Sequence, residues 1–367
     1  MNKIMPIERI LEKRIGAAVA PHDPLVSVVI PAYNCVEFIR ETLDSALAQT
    51  FKDYEIILVD DGSTDDLEKV LEDYFTKLIY IRQSHSGTGA ARNAAIMTAR
   101  GRYVAFLDSD DVWFPDYLEQ QTKALAEKQC DMIYANALLF GSTSRENETF
   151  MMRCPSVGEV SAESLLSFDC NVITSGTLID REKAIEAGLF NEDRALIGIE
   201  DFDLWFRLAK RGALIEYQKN ILLKYRVRPT SLSGNGIERS ARTILILNLL
   251  RENHRLSPAE TEKLDRSLQL TRAKLEFERG KFNLVQGNFS LARQNFRDAN
   301  KHLRKFKYFV LNLLLRFYPQ LALRLFKRIY PTEVAFLSFN PAEDEKEAFY
   351  GDADGYPLRK NGIGKTS

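Results

Sequence analysis

The chain has 367 residues, 45% of them hydrophobic and 28% charged, with 50 basic against 51 acidic side chains and a net charge of −1. This composition suits a globular protein with one catalytic domain and a smaller appendage, and the balanced charge argues against a whole-molecule binder of nucleic acid. Cys35, Cys130, Cys154 and Cys170 lack Cys-x-x-Cys spacing and the four histidines are scattered, so zinc and disulfide frameworks are disfavoured and a reducing, cytoplasmic compartment fits.

Residues 1–25 carry Ile4, Ile7, Ile10, Leu11 and Ile15 among charged side chains. The segment is too broken for a signal peptide and too short to span a membrane, and it is read as a helical extension that docks on the protein or lies on a membrane. From Val26 to about Phe140, short apolar runs (Val26–Ile30, Tyr54–Val59, Leu78–Arg82, Tyr103–Leu107, Met132–Leu139) alternate with helical stretches. That alternation predicts an α/β fold with a doubly wound, mostly parallel sheet. Residues 141–171 read as an irregular crossing loop, followed by helices at Arg181–Ala187 and Glu200–Arg211 and late strands at Leu214–Tyr217 and Leu222–Arg226. The catalytic domain is placed at 26–235.

Beyond Gly236 the pattern is helical. Gly280, Gly287, Ala292, Phe296 and Ala299 are spaced as in one tetratricopeptide-type hairpin. Residues 301–330 hold eight Lys or Arg and no acid, interleaved with aromatic and aliphatic residues and split by Pro319. Two such short helices suit an anionic membrane surface, or equally packing on the catalytic domain. The appendage is placed at 236–330, and 331–367 is expected to be disordered.

Ligands of a doubly wound sheet bind outside the carboxyl ends of its strands, and the polar clusters fall there. Pro31, Ala32, Tyr33 and Asn34 follow the first strand of the alternation, at a junction that leaves backbone N–H groups and an aromatic ring free for a base or ribose. Asp60 and Asp61 end the next strand before a Gly62 turn, where Ser63 or Asp65 can cap a helix and Asp61 can accept a hydrogen bond from a nucleobase N–H. Asp108 and Asp110, two residues apart after an apolar strand, would share one face and converge on a hard cation; the plainer reading is an acidic turn. The segment from Gly87 to Arg92 imitates a dinucleotide-binding glycine fingerprint but has Arg92 where the third glycine belongs. Arg92 instead starts a helix whose N-terminus can face phosphate or base.

In their order and spacing, Pro31 to Asn34, Asp60 to Thr64, Gly89 to Asn93, Asp108 to Asp110 and Glu200 with Asp201 resemble the motifs of the inverting family 2 glycosyltransferases. The likeness runs from about Val26 to Ser233. It implies the A-type nucleotide-sugar fold and a nucleoside diphosphate donor, expected to be a UDP-sugar, contacted by Pro31, Ala32, Tyr33, Asn34, Asp61, Gly89, Arg92, Asp108 and Ser109. It further implies Mg²⁺ or Mn²⁺ held by Asp110 and Asp108, with Asp201 as the base. Glu200 and Trp205 are the candidates for acceptor contact, Trp205 as a sugar-stacking platform or as core. Many relatives carry a His at the position of Arg228; an arginine can bind phosphate but cannot ligate a cation.

The resulting expectation is a peripheral cytoplasmic transferase acting with inversion on a hydroxyl of a glycan or lipid-linked acceptor. A nucleotide-sugar-binding scaffold without catalysis is the alternative. A nucleotidyltransferase would need a glycine-rich basic loop after the first strand, where Pro31 to Asn34 stand instead.

Overall fold

The computed structural model describes residues 9–19, 21–141, 144–228 and 236–329. The chain divides into two compact units, one comprising 1–235 with 239–271 and the other 236–238 with 272–367.

The first unit is built on a nine-stranded sheet: β1 (Ile10–Ile15), β2 (Val26–Ala32), β3 (Tyr54–Asp60), β4 (Ile79–Gln83), β5 (Tyr103–Phe106), β6 (Val112–Trp113), β7 (Met132–Gly141), β8 (Thr177–Asp180) and β9 (Ile215–Val227). Their spatial order is β1-β4-β3-β2-β5-β8-β7-β9-β6. Strands β4, β3, β2 and β5 run parallel, as the alternation with helices requires, because a parallel neighbour can be reached only through a crossover. Antiparallel pairing enters where β8 inserts between β5 and β7 and at the edges, making the sheet mixed. Every residue of β2 is buried, as expected for a strand covered on both faces.

The helices of this unit are α1 (Ile39–Leu47), α2 (Leu67–Leu71), α3 (Thr88–Thr98), α4 (Tyr117–Lys128), α5 (Phe150–Arg153), α6 (Ala162–Leu166), α7 (Arg181–Glu186), α8 (Glu200–Lys210), α9 (Gly236–Asn253, entered from the other unit) and the first half of α10 (Pro258–Val285). One face of the sheet packs Val28, Ile30, Ile56 and Leu58 under Ile39 and Leu43 of α1, and the opposite face packs Val29, Ile57 and Phe106 under α3. Ala90, Ala91, Ala94 and Ala95 make the buried side of α3 thin, so its backbone lies close over β2 and β3.

Four expectations change here. Residues 10–15 are not helical: they form β1, an edge strand antiparallel to β4. Their apolar spacing imitates a helix, but β4 has an unmatched edge whose N–H and C=O groups need partners. Arg14 then lies over the Phe75 ring at 4.6 Å and pairs with Glu68. The late strands are one continuous β9, and the crossing segment contains α5 and α6. The boundary expected at 236 also moves, because Ile246, Leu247 and Leu250 of α9 and Leu264 and Leu268 of α10 pack with Leu166, Leu196 and Phe206.

The second unit contains the end of α10, α11 (Phe289–Leu303), α12 (Phe306–Phe317) and α13 (Pro319–Ile329). A β-carbon on Gly280 would meet the Phe296 ring at 2.8 Å, so the α10–α11 hairpin closes because position 280 has none. Leu284, Ala292 and Phe296 form a small core with Leu315, Ala322 and Phe326. Residues 1–8 and 20 of the expected N-terminal helix, residues 142–143 near the start of the crossing segment, the closing residues 229–235 and the expected disordered segment 331–367 lie outside the described residues.

Candidate active site

The strand register lines up the carboxyl ends of the parallel strands: Ala32 pairs beside Asp60, Asp60 beside Arg82, and Val29 beside Phe106. The loops after β2, β3, β4 and β5 therefore open on one rim and line a cavity of about 650 Å³. The N-terminus of α8, the end of β9 and Arg242 of α9 complete its wall. Pro31, Ala32, Tyr33, Asn34, Asp61, Arg92, Asp108, Ser109, Asp110, Glu200 and Asp201 all line it, so motifs far apart in sequence meet in one place.

The first two loops are stitched to each other. Asn34 takes the left-handed conformation at φ 47°, its Oδ1 accepts from Thr64 N at 2.8 Å, and its own N–H donates to Ser63 Oγ at 3.1 Å. Asp65 accepts from Val36 N at 3.1 Å. These contacts replace the expected capping, since no side chain caps α2, and they make Asn34 a loop-former more than a ligand group. The doubled acid divides its roles. Asp60 accepts from Ser63 N at 2.8 Å and from the Tyr80 hydroxyl at 3.1 Å. Asp61 accepts from Gln83 Nε2 at 2.6 Å and from the N–H groups of Ser86 and Gly87, each at 2.8 Å.

Asp61 thus shapes the 84–87 loop through three of its acceptor sites while still lining the cavity. That loop presents His85, whose ring stacks on Tyr33 with centroids 4.2 Å apart. Tyr33 is 45% exposed and offers a ring face to the cavity. Gly89 does not line the cavity; a β-carbon there would stand 2.6 Å from the Asn191 carbonyl oxygen, so its lack of one lets α3 approach that loop.

The acidic pair is organised by arginines. Strand β5 stops at Phe106, and Asp108 to Asp111 form a turn closed by Asp111 N donating to the Asp108 carbonyl at 3.1 Å. The shared strand face expected for Asp108 and Asp110 is therefore replaced by a turn. Arg92 is buried and donates to Asp108 Oδ1 and to Glu200 Oε1, both at 2.6 Å. Burial pushes its pKa down, but the charges of Asp108 and Glu200 outweigh this and the net shift is upward. Arg228 donates to Asp110 Oδ2 at 2.7 Å and rests on the Phe38 ring at 4.5 Å. Asp111 is fully interior and accepts from Arg226 N at 2.8 Å, tying the turn to the end of β9; burial and then the neighbouring charges of Asp110 and Asp108 raise its pKa well above the ordinary range.

Glu200 is buried, and its second oxygen accepts from Gly198 N at 2.5 Å. One oxygen thus holds Arg92 and the other the 198 backbone, so Glu200 positions Arg92 within the cavity that it lines. The expected platform at Trp205 is corrected: it is 1% exposed, tilted against Phe106 at 6.2 Å and edge-on to Phe190 at 6.0 Å, and belongs to the core. Asp201 and Trp205 are four residues apart, but α8 enters the cavity only by its first turn, and one turn on the same side already faces the sheet.

Asp201 differs from Asp108, Asp110 and Glu200 in being held by neutral donors instead of an arginine. Its Oδ2 accepts from Thr174 Oγ1 at 2.6 Å and its Oδ1 from Phe202 N at 2.7 Å. Burial, with the charge of Glu200 second, pushes its pKa up to about 6. Thr174 reaches it because the 174–176 turn enters β8 beside the end of β5, where Ser175 Oγ also accepts from Asp108 N at 3.0 Å. Thr174, His85 and Arg226 were not singled out by spacing, because each takes its role from a partner distant in sequence.

No group of three or more His, Cys, Asp or Glu is placed to hold a metal ion among the described residues. Asp108 and Asp110 are the two carboxylates available. A carboxylate that gives one oxygen to a guanidinium keeps the other for a cation, and Mg²⁺ or Mn²⁺ takes few protein ligands when phosphate and water complete its octahedron. The pKa of Asp110 is raised by burial and then by the charge of Asp108, a crowding of negative charge that a cation would relieve. The donor set fits such an ion.

The mixed α/β sheet core, with its cavity at the strand ends and a helical region after it, is that of the glycosyltransferase A-type fold. Two solved structures share it: Staphylococcus aureus TarS 1-349 in complex with UDP (TM-score 0.51, 20% identity, 84% of this chain and 91% of that one) and the mannosyltransferase PcManGT from Pyrobaculum calidifontis in complex with GDP-Man and Mn²⁺ (TM-score 0.54, 18% identity, 85% and 89%). The chain belongs to glycosyl transferase family 2, whose family model matches residues 27–175. It is 31% identical over 238 residues to the UDP-Glc:alpha-D-GlcNAc-diphosphoundecaprenol beta-1,3-glucosyltransferase WfaP of Escherichia coli, covering 63% of this chain and 90% of that protein. It is 30% identical over 236 residues to the putative teichuronic acid biosynthesis glycosyltransferase TuaG of Bacillus subtilis, with the same coverage.

Proposed function

We propose that the protein transfers one sugar from a UDP-sugar to a hydroxyl acceptor, with inversion at the anomeric carbon and with Mg²⁺ or Mn²⁺, during assembly of a polysaccharide or a lipid-linked glycan. The observation that carries this reading is Asp201, a carboxylate held by Thr174 in the same cavity as Arg92, Arg228, Asp108 and Asp110. A single base beside a cluster suited to a diphosphate is what a one-step inverting displacement needs.

With a pKa of about 6, Asp201 is ionised at neutral pH yet more basic than an ordinary aspartate, which suits removal of a proton from the acceptor hydroxyl oxygen. Thr174 and the Phe202 N–H orient its two oxygens, so the carboxylate keeps one orientation as the proton arrives. Arg228 and Arg92 place two guanidiniums at the acidic turn, where charge-assisted hydrogen bonds to phosphate oxygens are strong. Tyr33 stacked on His85 provides an aromatic face for the base. Bound at Asp108 and Asp110, the divalent ion would supply Lewis-acid neutralisation of charge on the departing diphosphate.

The donor assignment rests on the name of WfaP, which specifies UDP-Glc, and on the UDP complex of TarS; PcManGT, with GDP-Man, demonstrates that the fold alone does not select the base. WfaP's name also specifies a diphosphoundecaprenol-linked acceptor, and TuaG's specifies teichuronic acid, which is why the acceptor is proposed as a growing or lipid-linked glycan.

The test is thermal stabilisation and turnover across a panel of UDP-, GDP- and dTDP-sugars with Mn²⁺. A UDP-sugar at a hundred times its Kd should add about 2.7 kcal/mol to stability. If no UDP-sugar raised the melting temperature, the donor assignment would be wrong.

A further inference from the structure

The second unit has an outer surface that water does not explain. Nine of the nineteen exposed large apolar side chains among the described residues fall within residues 306–329. On α12, Phe306, Phe309, Leu313 and Phe317 recur at three- and four-residue spacing and so form one stripe, with exposures of 79, 53, 42 and 62%. The opposite side of the same helix buries Tyr308 and Leu315 against the small core. A helix covering a core normally turns polar residues outward, whereas α12 is apolar on both sides. On α13, Leu321, Leu325 and Ile329 recur at four-residue spacing and stay exposed along the flank of the side that buries Ala322 and Phe326.

The charge around these stripes has one sign. Lys305, Lys307, Arg316, Arg324, Lys327 and Arg328 are exposed, and none is ion-paired among the described residues. No acid occurs between Lys301 and Ile329. No helix among the described residues is long and apolar enough to cross a membrane, and α12 and α13, of twelve and eleven residues, are separated by Pro319.

We propose that α12 and α13 form a membrane-surface anchor: their phenylalanine and leucine stripes insert at the boundary of headgroups and acyl chains, and the flanking lysines and arginines bind anionic lipid headgroups. The occupant is fixed by charge complementarity. A second copy of this face would bring like charges together, and a neutral apolar partner would leave six cations unmatched. The inference does not depend on the sugar-transfer reading, since its readout is lipid binding.

The test is co-sedimentation of the full chain with vesicles of phosphatidylglycerol and phosphatidylcholine against phosphatidylcholine alone. Binding should require the anionic lipid and fall roughly tenfold or more when salt rises from about 0.1 to about 0.5 M. Phe309→Ser with Phe317→Ser, and separately Arg324→Glu with Lys327→Glu, should each lower it by at least about tenfold while circular dichroism stays unchanged. A chain that ignored anionic vesicles, bound neutral ones equally well, or formed a dimer dispersed by Phe309→Ser with Phe317→Ser would overturn the proposal.

Discussion

Replacing Arg92 by Met would leave Glu200 buried, with only the Gly198 N–H for company, and Asp108 without its guanidinium. The side chain of Glu200 is 4% exposed and that of Asp108 30%, so water can screen Asp108 but not Glu200, and most of the loss should come from the pair at 2.6 Å with Glu200. Removing one partner of a buried ion pair costs about 3–5 kcal/mol. Both tryptophans, Trp113 and Trp205, are buried in the sheet-containing unit, so their fluorescence follows unfolding of that unit alone. In a urea titration at pH 7, Arg92→Met should be destabilised by about 3–5 kcal/mol. Adding Glu200→Gln, which removes the stranded charge but can still accept from Gly198, should recover at least about 1 kcal/mol, a coupling typical of residues in one network. An Arg92→Met protein within about 0.5 kcal/mol of the parent, or strict additivity in the cycle, would refute the claim that Arg92 joins the acidic turn to α8.

Other expectations follow from single residues. The kcat/KM of transfer should fall about tenfold per pH unit below about 6, because Asp201 must be ionised to act as base and its pKa is raised; a profile flat from pH 7 to 5 would contradict this. Arg228→Ala should weaken UDP binding about tenfold or more by removing a charge-assisted donor, as isothermal titration would record. Trp205→Ala should cost about 3–5 kcal/mol of stability with little change in acceptor KM for the enzyme that remains folded, since the ring packs in the core; a selective rise in acceptor KM would restore the sugar platform.

The rim of the sheet was legible because parallel strands must end together, so polar clusters following Ile30, Val59 and Leu107 had to converge. What was not legible depends on partners that spacing does not encode. The part Asp61 plays in holding the 84–87 loop has no signal in its spacing, because the Ser86 and Gly87 N–H groups it accepts from belong to the loop after β4. Asp108 and Asp110 read as one strand face because the apolar run gives no sign that β5 ends at Phe106. Residues 10–15 carry helix-like spacing, and only the open edge of β4 makes them a strand. Trp205 shares a helical side with Asp201, yet α8 passes from cavity to core within one turn.

The central claim is tested most directly by assaying Asp201→Asn for transfer and for UDP binding in parallel. Asparagine keeps the size of the side chain and can accept from Thr174, but it cannot take a proton. The account predicts a loss of transfer of roughly 10²- to 10⁴-fold with UDP affinity nearly unchanged. Transfer at the parent rate would contradict it and exclude Asp201 as the base.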